Sequence, residues 1–271
     1  MNDKTPQRQT LSAQIPAGGW PPPWPQCLEL AHAFDTSKWT LVGGLMVQLH
    51  AAIAKIPAIR PTTDVDLVLH VETGRVSGHE VSRTMSQLGY ELQLPLHKDS
   101  PAHRFARQRD GLKEIIDVMV ADHGISKPHL RIGGRKPFQI SAGTQALKRT
   151  ANCQILNSEG MLVATLSIPS ALAALILKGA AYREDTKDRD RHLEDAALLS
   201  TILDDPLKLV RELQGSDRSR LIVLNKQLSD LNHPAWAPFE EVRRRDGHHA
   251  LDILCRNPQD FAFDTDLGTA L

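Results

Sequence analysis

The chain alternates between two kinds of hydrophobic pattern, and the change from one to the other divides it. In the first half, short apolar runs of four to eight residues alternate with segments of helical period, as strands and helices would. Trp39–Val42 reads as a strand running directly into Gly43-Gly44. Leu45, Leu49, Ile53 and Ile56 then recur at spacings of three and four, which predicts a helix. Asp64–Val71 is β-branched and Leu-rich and predicts a second strand. Residues 78–89 form a helix burying Val81, Met85 and Leu88, and Tyr90–Leu94 is a short strand. Residues 103–120 read as a hairpin turning at Asp110-Gly111. From Pro169 onward the period is helical throughout, through Ser170–Tyr182, Asp190–Leu203 and further amphipathic segments to about Leu254.

The order strand–helix–strand–helix–strand–strand–strand suits a small mixed sheet rather than a long doubly wound one. The expected class is therefore α+β: a small mixed β-sheet domain flanked by helices, followed by a C-terminal α-helical domain. The expected bounds are a Pro-rich flexible tail at 1–27, the α/β domain at 28–168, the helical domain at 169–256 and a C-terminal tail at 257–271. Five prolines between Pro16 and Pro25 exclude a helix or central strand across that stretch. The segment reads as a linker of polyproline character, with a docking segment for a partner as the alternative.

Composition narrows the class of protein without naming an activity. The 271 residues carry 32 Lys+Arg against 32 Asp+Glu, with 41% hydrophobic and 24% charged residues. These values exclude a mainly disordered, collagen-like or rod-like chain. Zero net charge argues against indiscriminate nucleic-acid binding but leaves room for a local basic patch. Residues 123–158 are such a region: Lys127, Arg131, Arg135, Lys136, Lys148 and Arg149 occur there with no Asp or Glu. It reads either as a solvated basic edge or as a surface for RNA or another polyanion. No apolar stretch is long enough for a membrane span, the N-terminus lacks a secretory pattern, and Cys27, Cys153 and Cys255 have neither pairing nor metal spacing. A cytoplasmic protein with reduced thiols is expected.

Three local features bear on chemistry. Gly43-Gly44 stands at a strand-to-helix junction, where close backbone approach and the free N–H groups of a helix start can cradle phosphate. Asp64-Val65-Asp66 places two carboxylates on one face of a strand, with Val65, Leu67, Leu69 and Val71 on the other. Neighbouring carboxylates repel, and oxygen ligands at this spacing suit Mg²⁺. A solvated strand end with two unrelated acids is the plainer alternative. Asp117 lies alone in the apolar run Ile115–Val120, where a buried charge needs either a cationic partner or a metal.

Taken together, Gly43-Gly44, the stretch Arg60-Pro-Thr-Thr-Asp64-Val-Asp66 and the lone strand Asp117 resemble the nucleotidyltransferase superfamily with the DNA polymerase β-like fold. The closest resemblance is to AbiEii-like nucleotidyltransferase toxins of abortive-infection and type IV toxin–antitoxin systems. It covers roughly residues 37–200 and extends to Lys178, Tyr182 and the cluster Lys187, Arg191, Asp195 in the helical part. Arg191-His192 stands where that family often carries Arg-Asp.

The resemblance implies transfer of a nucleoside monophosphate from an NTP to a hydroxyl. Asp64, Asp66 and Asp117 would bind one or two Mg²⁺ ions, and Asp117 would help deprotonate the acceptor. Gly43 and Gly44 would hold the triphosphate, with Lys178, Lys187 and Arg191 as its cations. The acceptor implied is a macromolecule, either tRNA or other RNA or a protein, and a cognate antitoxin is an implied partner. A small-molecule acceptor and a catalytically silent nucleotide-binding or partner-binding protein are the alternatives. At i, i+4 and i+8, Lys187, Arg191 and Asp195 would share one helix face, with Asp195 orienting Arg191. Other candidates, such as His103 and His248-His249, lack a partner at zinc spacing, and Arg243-Arg244-Arg245 reads as a charged helix face.

Overall fold

The structure, a computed structural model, describes residues 8–57, 60–122, 130–257 and 259. The chain divides into two compact units, Met1–Leu177 and Lys178–Leu271.

The first unit is built on two sheets. Strands β1 (Thr10–Gln14), β8 (Thr150–Leu156) and β9 (Leu162–Pro169) form a three-stranded sheet in the order β1-β8-β9. The second sheet has the order β2-β3-β6-β5-β4, from Trp39–Val42, Asp64–Leu69, Leu112–Ala121, Arg104–Arg109 and Glu91–Leu92. Its sixth strand, β7 (Phe138–Ile140), runs parallel to the far end of β6. β2 pairs antiparallel with β3, β3 parallel with β6, and β6 antiparallel with β5. The helices of this unit are α1 (Trp24–Ala33), α2 (Gly43–Ile53), α3 (Gly78–Gln87) and the short α4 (Gly143–Lys148). Helix α5 (Ala171–Glu184) runs across the division between the units.

The expected α+β class and the expected order of strands and helices from Trp39 to Val120 are those observed. The hairpin turns where its residues allow it. Asp110 and Gly111 have φ of +52° and +78°, the left-handed pair that a two-residue hairpin loop requires. Val65, Leu67 and Leu69 are fully buried, as their alternation predicts. Val68 and Thr40, on the opposite face, are fully buried too. There Thr40 Oγ1 meets Ser167 Oγ of β9 at 2.9 Å and His70 Nε2 at 2.7 Å, so the second sheet is covered on both faces away from its aspartates.

The N-terminal stretch departs from the expected tail at 1–27. Thr10–Gln14 is a strand paired in parallel with β8, and α1 begins at Trp24. The prolines do break regular structure, but only between these two elements. The hydrogen bonds of β1 come from a partner about 140 residues away, which no local pattern announces. β8 and β9, within and beyond the basic stretch, are local partners instead, antiparallel and joined through residues 157–161. β8 alternates buried and half-buried positions, with Ala151, Cys153 and Ile155 inward, so its basic flanks Lys148 and Arg149 border a structural strand. Lys127 lies outside the described residues, as does the expected C-terminal tail apart from Asn257 and Gln259.

A buried polar network sits on the core face of β5 and β6. Arg107 Nε donates to Glu114, Nη1 to the Leu88 carbonyl and Nη2 to Glu29 of α1. Gln26 of α1 donates to the other Glu114 oxygen at 2.8 Å, and the guanidinium lies 4.2 Å from the Tyr90 ring centre. These bonds fasten α1 and the end of α3 to the sheet. They hold Glu29 and Glu114 below the usual carboxylate range despite burial, which alone would raise them.

The second unit is helical. After α5 come α6 (Asp190–Ser200), α7 (Pro206–Val210), α8 (Asp217–Leu228) and α9 (Glu241–Cys255), with α6, α7 and α8 all packed against α9. Gly247 of α9 permits a close approach, since a Cβ there would stand 2.8 Å from Thr201 Cγ2 and 3.0 Å from the Trp236 ring. Among the described residues no helix is long and apolar enough to cross a membrane.

Candidate metal and phosphate site

Parallel pairing of β3 and β6 sets Asp66 directly opposite Asp117. Residues opposite one another in register share a face, and Asp64 is two residues from Asp66, so all three carboxylates project from one side. Ligand oxygens from Asp64, Asp66 and Asp117 all lie within 4.8 Å of one another. Asp117 is buried and the other two are half-buried. The lone strand carboxylate and the Asp-x-Asp pair, separated by 51 positions, therefore form one cluster.

Two further elements shape it. β2 ends at Val42, paired with Asp66, and the chain turns at once into α2. Gly43 makes that turn at φ +70°, and a Cβ on it would fall 1.9 Å from Asp66 Oδ2. A side chain at 43 is thus excluded twice, by the left-handed backbone and by the carboxylate. Gly44 lies likewise against Thr62, whose Oγ1 would be 2.6 Å from an added Cβ. Thr62 in turn donates to Asp64 Oδ1 at 3.1 Å. The glycine pair therefore brings the start of α2 against the carboxylates, Gly43 beside Asp66 and Gly44 beside Thr62.

The cation that a lone buried Asp117 calls for is also present. Arg104 of β5 is the register partner of Asp117, and its Nε and Nη2 reach Oδ1 and Oδ2 at 2.9 and 2.6 Å. Its pKa is raised, chiefly by this double hydrogen bond and further by the charges of Asp117, Asp64 and Asp66, against an opposing effect of burial. Sequence reading left Asp117 with a choice between a cationic partner and a metal; it has the partner and still belongs to the cluster. A signal for Arg104 exists in the sequence. A two-residue turn at 110–111 pairs 109 with 112, and counting back along the hairpin pairs 104 with 117.

One guanidinium against three ionised carboxylates leaves two negative charges. Each pair of carboxylates this close repels by about 3 kcal/mol at an effective dielectric of about 20. The donor set is all hard oxygen, the chemistry preferred by Mg²⁺, and each carboxylate oxygen has more than one lone pair to share. The residues present fit a divalent cation.

The remaining expected site residues lie in the second unit, and their partners differ from those expected. Lys178 Nζ is ion-paired with Asp195 Oδ2 at 2.7 Å, and both side chains are buried. Arg191 pairs instead with Asp185 Oδ2 at 2.8 Å. Lys187 is not on the face of α6 with these residues, because α6 begins at Asp190. Asp185 is the reason: its Oδ1 accepts from the backbone N–H groups of Lys187 and Asp188, closing a turn that stops the helical run. These bonds, with Arg191 and His192, hold Asp185 far below the usual carboxylate range. Asp195 thus orients Lys178 rather than Arg191.

No protein-family model and no curated protein matches the chain. Among solved structures, the chain is similar to an antigenic nucleotidyltransferase-like protein from Paracoccidioides brasiliensis. The two share 15% sequence identity over 78% of this chain and 90% of that one, with a TM-score of 0.46.

Proposed function

We propose that this protein is a Mg²⁺-dependent nucleotidyltransferase that moves a nucleoside monophosphate from an NTP to a hydroxyl of a macromolecule, RNA being the first candidate acceptor. The observation that carries the reading is the meeting of Asp64, Asp66 and Asp117 beside the glycine-started helix α2. Carboxylates alone would be an acidic cluster, and a glycine turn alone would be a turn. Side by side, they offer a place for divalent cations and a helix start for the phosphates those cations accompany.

The acceptor hydroxyl oxygen attacks the α-phosphorus and forms a new P–O bond. The bond from the α-phosphorus to the bridging oxygen breaks, pyrophosphate leaves, and the hydroxyl proton passes to water. Asp64 and Asp66 bind the cation and fix its position, with Thr62 holding the Asp64 carboxylate. When bound, Mg²⁺ supplies the positive charge that offsets the carboxylates and the transferring phosphoryl group. Gly43 and Gly44 admit the triphosphate close to the backbone. Arg104 occupies both oxygens of Asp117 with hydrogen bonds, which suits a charge-holding ligand better than the proton acceptor suggested by resemblance. Lys178, held by Asp195, is assigned to the β- and γ-phosphates on the resemblance alone. A toxin role and a cognate antitoxin likewise rest on the resemblance.

The test is transfer of label from each α-labelled NTP, with Mg²⁺, to total RNA, to the protein itself and to small hydroxyl compounds. Label transferred by the wild type and lost in Asp64→Asn/Asp66→Asn is expected. Equal transfer by both proteins, or no Mg²⁺-dependent NTP binding by the wild type, overturns the proposal.

A further inference from the structure

The loop that delivers Asp64 to the cluster also forms one wall of a groove that the site above does not use. This groove, of about 400 Å³, is lined chiefly by Trp20, Trp24, Gln48, Arg60 and Pro61. Two tryptophans form its aromatic side: the rings of Trp20 and Trp24 are 4.3 Å apart at their centres and tilted by 36°. Trp24 is buried, while Trp20 keeps part of its surface open.

The groove is built rather than incidental. The Trp24 indole N–H donates to Gln48 Oε1 at 2.9 Å, and the same amide donates through Nε2 to the Arg60 carbonyl at 3.1 Å. One glutamine thus ties α1, α2 and the loop before β3 into a fixed wall. The Arg60 guanidinium stands at the edge, one of its nitrogens donating to the Pro61 carbonyl at 3.2 Å. The lining segments are also free of acids: neither residues 8–28 nor residues 43–63 contain an Asp or Glu, whereas Lys55 and Arg60 lie in the second.

Aromatic faces with a guanidinium in an acid-free channel match a stacked base and its phosphate. Arg60 is four residues from Asp64, so at full extension the two Cα atoms are at most about 14 Å apart. From these observations we infer that the Trp20–Trp24–Arg60 groove holds an unpaired nucleotide of a single-stranded RNA acceptor close to the carboxylate cluster. Trp20 supplies the stacking face and Arg60 the phosphate contact. The inference rests on the nucleotidyltransferase reading for its purpose but not for the binding itself.

The experiment measures binding of a fluorescein-labelled oligoadenylate by anisotropy over a range of salt, without NTP or Mg²⁺. Wild type, Trp20→Ala, Arg60→Gln and Asp64→Asn/Asp66→Asn are compared, each checked for an unchanged melting temperature or, for the double variant, a raised one. Trp20→Ala is expected to weaken binding about tenfold or more. Arg60→Gln is expected to lower the slope of log affinity against log salt by about 0.7, one phosphate contact on a single strand. The Asp64→Asn/Asp66→Asn protein should bind at least as well as wild type. Affinity and slope unchanged in both groove variants overturn the inference. A protein that binds the oligonucleotide through Trp20 yet transfers no label keeps the groove and loses the transferase reading. Transfer that depends on Asp64 and Asp66 but is indifferent to Trp20 and Arg60 does the reverse.

Discussion

Asp66 and Asp117 face each other across adjacent parallel strands, register partners that share a face with Asp64. Like charges directly opposite one another destabilise a sheet, so the cluster costs stability until a cation enters it. Asp66→Asn is therefore expected to raise the melting temperature in chelator. The same variant should lose the Mg²⁺-induced stabilisation of the wild type, which at a hundredfold excess over the dissociation constant amounts to about 2.7 kcal/mol. Differential scanning fluorimetry with EDTA and with Mg²⁺ checks both signs. A wild type that melts identically in the two conditions would count against the metal site.

Gly43 has no tolerance for a side chain. At φ +70°, with Asp66 Oδ2 1.9 Å from where a Cβ would stand, alanine is strained in its backbone and collides with a metal ligand. Gly43→Ala should cost about 3 kcal/mol and weaken Mg²⁺ and NTP binding together. Gly134, also left-handed at φ +76° but with nothing within 4 Å of an added Cβ, is the control. Gly134→Ala should show the backbone cost alone and leave ligand binding intact. Isothermal titration of the two variants separates geometry from backbone strain.

Arg104 is the built-in counter-charge of the cluster, and its removal has opposite effects on the empty and loaded protein. Arg104→Met leaves Asp117 without its two hydrogen bonds and raises the local charge from two negatives to three. The metal-free protein should lose about 1–3 kcal/mol, the side chain being 42% exposed and its pairing correspondingly screened. Mg²⁺ should then stabilise the variant by more than it stabilises the wild type. Equal Mg²⁺-induced shifts in the two proteins would show that Arg104 and the cation do not share the same carboxylates.

What the sequence made legible was whatever is set by local pattern. The hairpin at Asp110-Gly111, the strand Asp64–Leu69 and the glycine turn into α2 each follow from neighbours in the chain. The convergence of Asp117 on Asp66 does not, because a parallel register is set by no turn; a lone carboxylate in an apolar strand offered a third ligand as one of two readings, and the resemblance favoured it. β1 was hidden for the same reason, its bonds lying with residues 152–156. Arg104 was within reach of simple counting from the turn. The helix break at Asp185 was masked by the regular i, i+4, i+8 spacing of Lys187, Arg191 and Asp195, which a single Asp side chain capping two backbone N–H groups overrides.

Glu114 lies three residues from Asp117 on the same strand but on the opposite face, paired with Arg107, Gln26 and Tyr90. Its work is structural. Arg107→Leu strands a buried carboxylate and should destabilise the fold by about 3–5 kcal/mol. Where enough folded protein survives at low temperature, its Mg²⁺ affinity should match the wild type's. Urea melts and Mg²⁺ titrations of this variant beside Arg104→Met test whether the two faces of β6 are as separate as their contacts.

His192 gives the second unit a pH dependence of defined sign. Burial, and then the charges of Lys178 and Arg191, push its pKa down to about 4, against the opposing pull of Asp185 and Asp195. Unfolded, the imidazole takes up its proton near 6.5; folded, it resists until about 4. Between those values the unfolded state binds more protons, so stability falls as pH drops from 6.5 to 4 and is unaffected by His192 below that. His50 and His70 of the first unit are depressed by burial in the same direction. His192→Gln keeps a donor for Asp185 but cannot titrate. Its stability should decline less than the wild type's over that window, with the two curves running parallel above pH 7. Chemical denaturation at half-unit steps from pH 4 to 8 reads this directly, and identical slopes for both proteins would mean that His192 is protonated in the fold as readily as out of it.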